Sequence, residues 1–366
     1  MTAESTHDLA QSRQLAWETA GELKEGWYVA CTSSEIRRRK IVNARILGLG
    51  IVVYRQSDGA IAALVDQCLH RGTMLSAGRL VDDCLVCPYH GWRYDGNGRV
   101  VHIPSQDGAR LPDKPHPYRL RSFASREAYG LVWLYVGDND PEQAEIFPMP
   151  YWQQRPWTNY YMVSRFSGTV STLAQNFMDV PHTVYVHDKI FRKKADRIMR
   201  STVETNPSSV EVTYHDAEDA IGMWPLLTNP KKQALRHTDK FFAPNITRCD
   251  YHWGDDSGFV ITSQITPEDG RSCRVYTLIS YRFPYPSWVG KILSPIIHAY
   301  TRIVLGQDIR IMRKNVAGLD NAPNHGNRNV KADLVHVGIE RVIDAKRSGR
   351  PMSDKQLGSR DIEFYI

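Results

Sequence analysis

From residue 27 to residue 66 apolar and polar positions alternate in short runs broken by turn residues, the pattern of half-buried β-strands. Strands are expected at 27–31, 41–47, 51–55 and 60–66, and one alternating strand through Leu80, Asp82, Cys84 and Val86. Gly48-Leu49-Gly50 reads as a hairpin turn, because no third glycine follows to complete a dinucleotide fingerprint. Asp95-Gly96-Asn97-Gly98 reads as another turn. A proline-bearing loop at 104–117 and an apolar strand at 129–136 lead to the Asp-, Asn- and Pro-rich segment 137–150, which marks a domain boundary. Beyond it the period changes. After a strand at 160–166, Leu173, Phe177 and Val180 fall at helical spacing, while Asn176 and Asp179 share a second face that continues to His182. Strands at 199–204, 210–214, 241–251, 259–266 and 274–283 precede long helices at about 286–319 and 331–347.

The 366 residues exceed one ordinary domain and suit two. The expected division is an N-terminal extension 1–26, an all-β domain 27–140, and a domain 141–366 of antiparallel sheet plus long helices, making the chain α+β. Hydrophobic content of 42% and charged content of 23% describe an ordinary globular protein. The polar, mixed-charge start lacks the apolar run of a secretory signal, and the most apolar stretch, 292–305, is interrupted by Pro295, His298, Tyr300 and Arg302. A cytoplasmic protein without a membrane span is expected. Of six cysteines, Cys31, Cys84, Cys249 and Cys273 are scattered and read as reduced thiols. The net charge of +6 is spread out, with basic runs at 37–40, 192–194 and 231–232 that suit solvated surface or a docking face for an acidic electron carrier. No interleaving of aromatic and basic residues suggests nucleic acid.

The chemistry is concentrated in two places. Cys68-Leu69-His70 and Cys87-Pro88-Tyr89-His90 form a C-x-H and a C-x-x-H pair, which suits a [2Fe-2S] centre with two thiolates on one iron and two imidazoles on the other. Gly72 and Gly91 give each ligand loop a small residue at a tight bend. Zinc is the competing reading, since Cys2His2 is a common zinc set and Cys84 with Cys87 offers a C-x-x-C, but the C-x-H half is unusual for structural zinc. Such a cluster passes electrons without choosing a substrate, and no nicotinamide or flavin site is visible, so the electrons must come from another protein. The second place is His182 and His187, which can point to one spot if Pro181 interrupts the helix. With a carboxylate they would make the two-His-one-carboxylate set of non-haem Fe(II) and oxygen chemistry. The residues alone leave two choices for that carboxylate, Asp308 in a late helical stretch and Asp179 close by.

The cluster motif resembles the Rieske signature, and Asn176, Asp179, His182 and His187 match the N-x-x-D-x-x-H-x4-H of the oxygenase component of Rieske non-haem iron oxygenases. Gln307-Asp308-Ile309-Arg310 resembles that family's late carboxylate motif. The resemblance implies that His182, His187 and Asp308 hold a mononuclear Fe(II), on a helix-grip catalytic domain. It also implies that Asp179 bridges His182 to His90 of a partner subunit. Further implications are a separate NAD(P)H-dependent reductase or ferredoxin, O2, an organic, aromatic or polycyclic substrate, and a monooxygenase-type homotrimer. A Rieske electron carrier without turnover, and a binding protein that kept the fold, are the rival functions. Trp224, Leu226, Phe241, Phe242 and Trp253 are candidates for lining a pocket, against the commoner fate of strand aromatics as plain core.

Overall fold

The computed structural model describes residues 18–188, 190–192, 196–215, 225–322 and 326–366. It divides into two compact units, Lys24–Phe147 and, with Gly21–Leu23, Pro148–Ile366. The division falls after Phe147 because residues 141–147 fold back on the first unit. There Trp27 Nε1 donates to the Ala144 carbonyl at 2.8 Å, and Arg126 pairs with Glu142 at 2.6 Å. Most of the expected extension, Lys193 and Lys194 of one basic run, and Trp224 lie outside the described residues.

The first unit is built of three small antiparallel sheets: β1 (Gly26–Thr32) with β10 (Leu131–Val136) and β9 (Ser125–Ala128); β2 (Ile41–Ile46), β3 (Leu49–Arg55) and β4 (Ile61–Val65); and β5 (Arg79–Val81), β6 (Cys84–Val86), β7 (Arg93–Tyr94) and β8 (Val100–His102). β2 buries Val42, Ala44 and Ile46 and exposes Asn43, the period of a strand with one covered face. The basic run 37–40 falls largely on a helix, α1 (Ser33–Arg39), capped by Thr32 Oγ1 accepting from Glu35 N. One expectation is corrected here: residues 80–86 are a hairpin, not one strand. Asp82 and Asp83 both take left-handed backbone, at φ 49° and 59°, and Asp83 is held there by accepting from Ser57 N and Ser57 Oγ. Cys68 and Cys87 are packed in the core of this unit with Tyr54, Leu64, Leu85 and Tyr94.

The second unit is one eight-stranded antiparallel sheet with helices. Its strands are β11 (Thr158–Ser167), β12 (Ile198–Asn206), β13 (Ser209–Tyr214), β14 (Leu235–Phe242), β15 (Ile246–Trp253), β16 (Ser257–Pro267), β17 (Ser272–Arg282) and β18 (Gly358–Tyr365), in the order β11-β17-β16-β15-β14-β13-β12-β18. The helices that frame the site are α2 (Val170–Phe177), α3 (Thr183–Val186), α4 (Ser287–Asn321) and α5 (Leu334–Ser348), with a further helical turn at Pro225–Thr228. The run 241–251, expected as one strand, is the close of β14, a turn at 243–245 and the start of β15, with Ala243 N donating to the Ser208 carbonyl and Asn245 Nδ2 to the Ile265 carbonyl. β18 shows apolar alternation only in its second half, at Ile362 and Phe364. It is an exposed edge strand that pairs along β12 from Ile198 to Thr205. No helix among the described residues is long and apolar enough to cross a membrane.

Candidate metal centres

In the first unit the two ligand loops repeat one geometry. Cys68 N donates to the Thr73 carbonyl and Gly72 N to the Cys68 carbonyl; Cys87 N donates to the Trp92 carbonyl and Gly91 N to the Cys87 carbonyl. Gly72 and Gly91 take φ of +75° and +72°, where a side chain would strain the turn. The loops bring the rings of His70 and His90 to 4.4 Å between centroids, with His70 stacked on Trp92 at 5.0 Å. His90 is exposed and His70 half-buried, whereas Cys68 and Cys87 are each 2% exposed.

The local chemistry suits an iron-sulfur cluster. Burial pushes the Cys87 thiol up, and the backbone N–H groups of Tyr89 and His90 oppose this by pointing at its sulfur. Tyr94 OH accepts from Leu69 N at 3.1 Å, so its hydrogen is free for Cys68 Sγ at 3.2 Å. His70 Nδ1 is buried without a hydrogen-bond partner, and desolvation with the nearby His90 holds its pKa below the ordinary value. The neutral imidazole is the ligating form.

In the second unit α2 begins at a reciprocal cap, Thr169 Oγ1 accepting from Thr172 N and Thr172 Oγ1 from Thr169 N. It ends four residues before Pro181, and the single turn α3 restarts with His182 at its beginning and His187 at its end. That broken helix faces the two imidazoles toward each other, His182 Nε2 to His187 Nε2 at 3.3 Å. Asp308, inside α4, presents Oδ1 at 3.5 Å from His182 Nε2 and 3.2 Å from His187 Nε2.

Tautomers decide what this cluster is. His182 Nδ1 makes a short hydrogen bond to the Asp179 backbone carbonyl, and His187 Nδ1 one of 2.9 Å to Gln307 Oε1. Both partners are acceptors, so both Nδ1 atoms carry the hydrogen and both Nε2 atoms present lone pairs. Asp308 Oδ1 is buried with no hydrogen-bond donor of its own. Three acceptors thus face one another within 4.8 Å, an arrangement that repels itself until a cation sits among them. The titration directions show that the same spot favours positive charge. Burial opposes charging of His182 but the Asp308 and Asp179 carboxylates raise its pKa, and burial raises Asp308 but the two imidazoles pull it below the usual carboxylate range.

Asp179 departs in detail from what the resemblance implies. Its carboxylate Oδ2 lies 3.8 Å from His182 Nδ1, and the backbone carbonyl makes the hydrogen bond, because the turn into α3 presents the carbonyl of residue 179 to the side chain three residues on. The carboxylate itself is pushed up by burial, with His182 and His336 pulling against it.

The three atoms open on a cavity with about 800 Å³ of empty space including its mouth, between the sheet and the helices. Asn176 is on its wall, with Oδ1 buried and without a hydrogen-bond partner. None of the aromatics Phe241, Phe242 and Trp253 lines it: Phe241 is fully buried, and Trp253 packs in a core cluster with Leu235, Cys249 and Tyr251. The described wall is made instead by Phe177, Phe191, Phe259, Ile261 and Leu305 and by small hydroxyl residues.

Residues 26–123 match the Rieske [2Fe-2S] domain and residues 166–347 the vanillate O-demethylase oxygenase C-terminal domain. By family, the chain is a Rieske oxygenase component. The first of these domains carries a [2Fe-2S] cluster as its cofactor. This Rieske oxygenase is 36% identical over 185 residues to the dicamba O-demethylase oxygenase component of Stenotrophomonas maltophilia, covering 50% of this chain and 52% of that protein. It is 30% identical over 203 residues to a vanillate O-demethylase oxygenase subunit of Pseudomonas, 55% of each. A longer match, 27% over 289 residues, reaches 77% of this chain and 75% of the 4β-methylsterol monooxygenase of Methylococcus capsulatus. The alignments therefore span about half the length of the first two relatives. The crystal structure of dicamba monooxygenase bound to dicamba superposes with a TM-score of 0.74 at 23% identity, over 89% of this chain and 98% of that one, which shows a common fold.

Sequence reasoning missed Gln307 as the orienting partner of His187, Tyr94 as a donor to a cluster sulfur, and the hydroxyls on the cavity wall. Gln307 had a visible signal, its place beside the expected carboxylate. The hydroxyl row had none, since it exists only across strands.

Proposed function

We propose that this Rieske oxygenase is the terminal component of a multicomponent system. It takes electrons from a separate NAD(P)H-dependent reductase or a ferredoxin, and uses O2 to hydroxylate or oxidatively demethylate an organic, aromatic or polycyclic substrate. Cys68, Cys87, His70 and His90 hold the cluster, and His182, His187 and Asp308 hold the Fe(II). When bound, the cluster supplies single electrons and the iron activates O2. The observation that carries the reading is the convergence of half-buried His182 with buried His187 and Asp308, their Nε2, Nε2 and Oδ1 atoms opening on a largely apolar cavity in a chain that also has a Rieske domain.

The chain's own groups have separable tasks. The Asp179 carbonyl and Gln307 Oε1 hold the two imidazoles in the ligating tautomer. Asp179's carboxylate, not engaged by that hydrogen bond, is the bridge for electron passage from His90 of the partner subunit, in a head-to-tail homotrimer. The apolar wall excludes water from the reacting centre. A cytoplasmic location belongs to the same reading. The relatives' names include a carboxylate, vanillate, and an uncharged sterol, so relationship alone leaves the charge of this chain's substrate open.

The test is iron and acid-labile sulfide in anaerobically purified protein, with about three irons to two sulfides expected per chain. His182→Ala should lose one iron and keep the cluster's visible spectrum. Iron at the cluster level only in the parent protein, or loss of both centres together in the variant, refutes the assignment.

A further inference from the structure

Building on the oxygenase reading, we propose that the substrate is uncharged, with an apolar body and a hydrogen-bonding head such as a carbonyl, ether or hydroxyl. The head is read by a row of three hydroxyls on the sheet, Thr247, Ser263 and Thr277. Strand register makes the row: Thr247 of β15 pairs with Ser263 of β16, which pairs with Thr277 of β17. All three line the cavity, and they are 2%, 3% and 3% exposed. The row alongside, two residues on, is Cys249, Ile261 and Ile279, and beyond it lie Tyr251 and Phe259. The sheet wall therefore grades from hydroxyl to aliphatic to aromatic across successive rows, while the metal trio is carried by helical segments.

Ser263 Oγ and Thr277 Oγ1 are 3.1 Å apart, so one donates to the other. The pair then has one hydroxyl hydrogen left over, together with spare lone pairs. A carbonyl or ether oxygen can accept that hydrogen, and a substrate hydroxyl can use both functions. Leaving such groups facing an apolar body with no polar atom forfeits their solvation.

The described wall offers a charged head no partner. Among the described lining residues there is no Lys or Arg, and the one carboxylate, Asp308, belongs to the metal trio. Buried Arg192 is off the wall and donates to Thr183 Oγ1 at 3.2 Å. Arg302 lines a separate groove that shares only Met162 and Leu305 with this cavity. A carboxylate or sulfonate head seated at the hydroxyl row would lose its water there without gaining a cationic side chain.

Three skeleton-matched probes test this by equilibrium dialysis against the iron-loaded protein under anaerobic conditions near neutral pH: 2-acetylnaphthalene with a carbonyl head, 2-naphthoate with an anionic head of the same shape, and 2-ethylnaphthalene with none. The ketone is expected to bind at least about tenfold more tightly than the carboxylate. Ser263→Ala is expected to weaken the ketone about fivefold or more and leave the hydrocarbon within about twofold, the loss of one neutral hydrogen bond. Thr277→Lys should move the preference toward the carboxylate; if that variant does not fold, the comparison in the parent protein still decides. Naphthoate binding as tightly as the ketone, equal weakening of ketone and hydrocarbon by Ser263→Ala, or no binding of any probe overturns the proposal. Dialysis needs no turnover and the metal assignment is read from iron content, so the two can fail separately.

Discussion

Gln307→Leu tests whether the imidazole tautomer organises the metal trio. Leucine is close to glutamine in size and helix propensity, so α4 should stay intact. The substitution removes the acceptor 2.9 Å from His187 Nδ1. The buried N–H can then stay unsatisfied, at a cost of about 1–3 kcal/mol, or the hydrogen can move to Nε2. In the second case it points at Asp308 Oδ1, 3.2 Å away, and forms a hydrogen bond that occupies two of the three ligand atoms. Either route makes the metal displace something it does not displace in the parent protein. Losses of an outer partner of a metal-ligating histidine are typically about 10- to 100-fold in affinity, or about 1.4–2.7 kcal/mol, which agrees with the hydrogen-bond figure. Gln307→Glu keeps an acceptor and should stay within a few-fold of the parent. Anaerobic Fe(II) titration against a coloured chelator reads the dissociation constant, and the cluster's absorption serves as an internal standard. A Leu variant that binds Fe(II) within about twofold of the parent, or a Glu variant that loses as much as Leu, would show that Gln307 does not set the tautomer.

Three further outcomes are expected. Asp179→Asn should keep its iron, because the backbone carbonyl that orients His182 is untouched, while product formation falls by at least about tenfold; unchanged steady-state turnover sinks the bridge. Tyr94→Phe removes a donor to Cys68 Sγ and should lower the cluster's midpoint potential by about 40–60 mV, one hydrogen bond of about 1–1.4 kcal/mol in a one-electron couple, read by spectroelectrochemical titration. Glu25 loses solvation by burial but accepts from Asp138 N, Tyr135 OH and Asn139 N, and its pKa lies below the ordinary value. Its stabilising effect is therefore full above the unfolded glutamate range and disappears as pH falls through the depressed value. Glu25→Gln should be less stable than the parent at pH 7 by up to about 1 kcal/mol, with the gap in urea midpoint closing toward pH 4 and below; a gap independent of pH contradicts this.

How much of this was legible depended on the distance over which each feature is encoded. The two cluster loops are local, each needing one Cys, one His and a glycine within five residues, and their pattern could be read directly. The His182 and His187 pair was readable for the same reason, because a proline between Asp179 and His182 interrupts the helix. Asp308 is over a hundred residues away, and the periodicity of its helix could not choose it over Asp179; only the resemblance did. The structure separates the two by which side of His182 they face: Asp308 lies at Nε2 and the Asp179 carboxylate on the Nδ1 side. The turn at 82–83 was hidden because it has neither glycine nor proline, whereas Pro244 and Asn245 were a legible signal against one strand at 241–251, and β18 shows too short an apolar face, Ile362 and Phe364, to announce a strand.

The cavity wall was illegible for a different reason. Alternation along a strand tells which side chains face the helices, but not where helices touch the sheet and where they leave a void. Phe241 and Trp253 have the composition expected of a pocket and fill core instead, whereas Thr247, Ser263 and Thr277 stand at the void because they are one register row. That geometry divides the labour of the fold. The ligand atoms come from helical segments whose spacing is fixed by one interrupted helix and one long one, so shifting any of them disturbs the others. The hydroxyl row draws one residue from each of three strands, and a side chain can be exchanged there while the backbone ladder and the helices stay in place. On the reading proposed above, substrate choice can therefore vary independently of iron chemistry, the hydroxyl row being a specificity element in its own right rather than an extension of the metal centre.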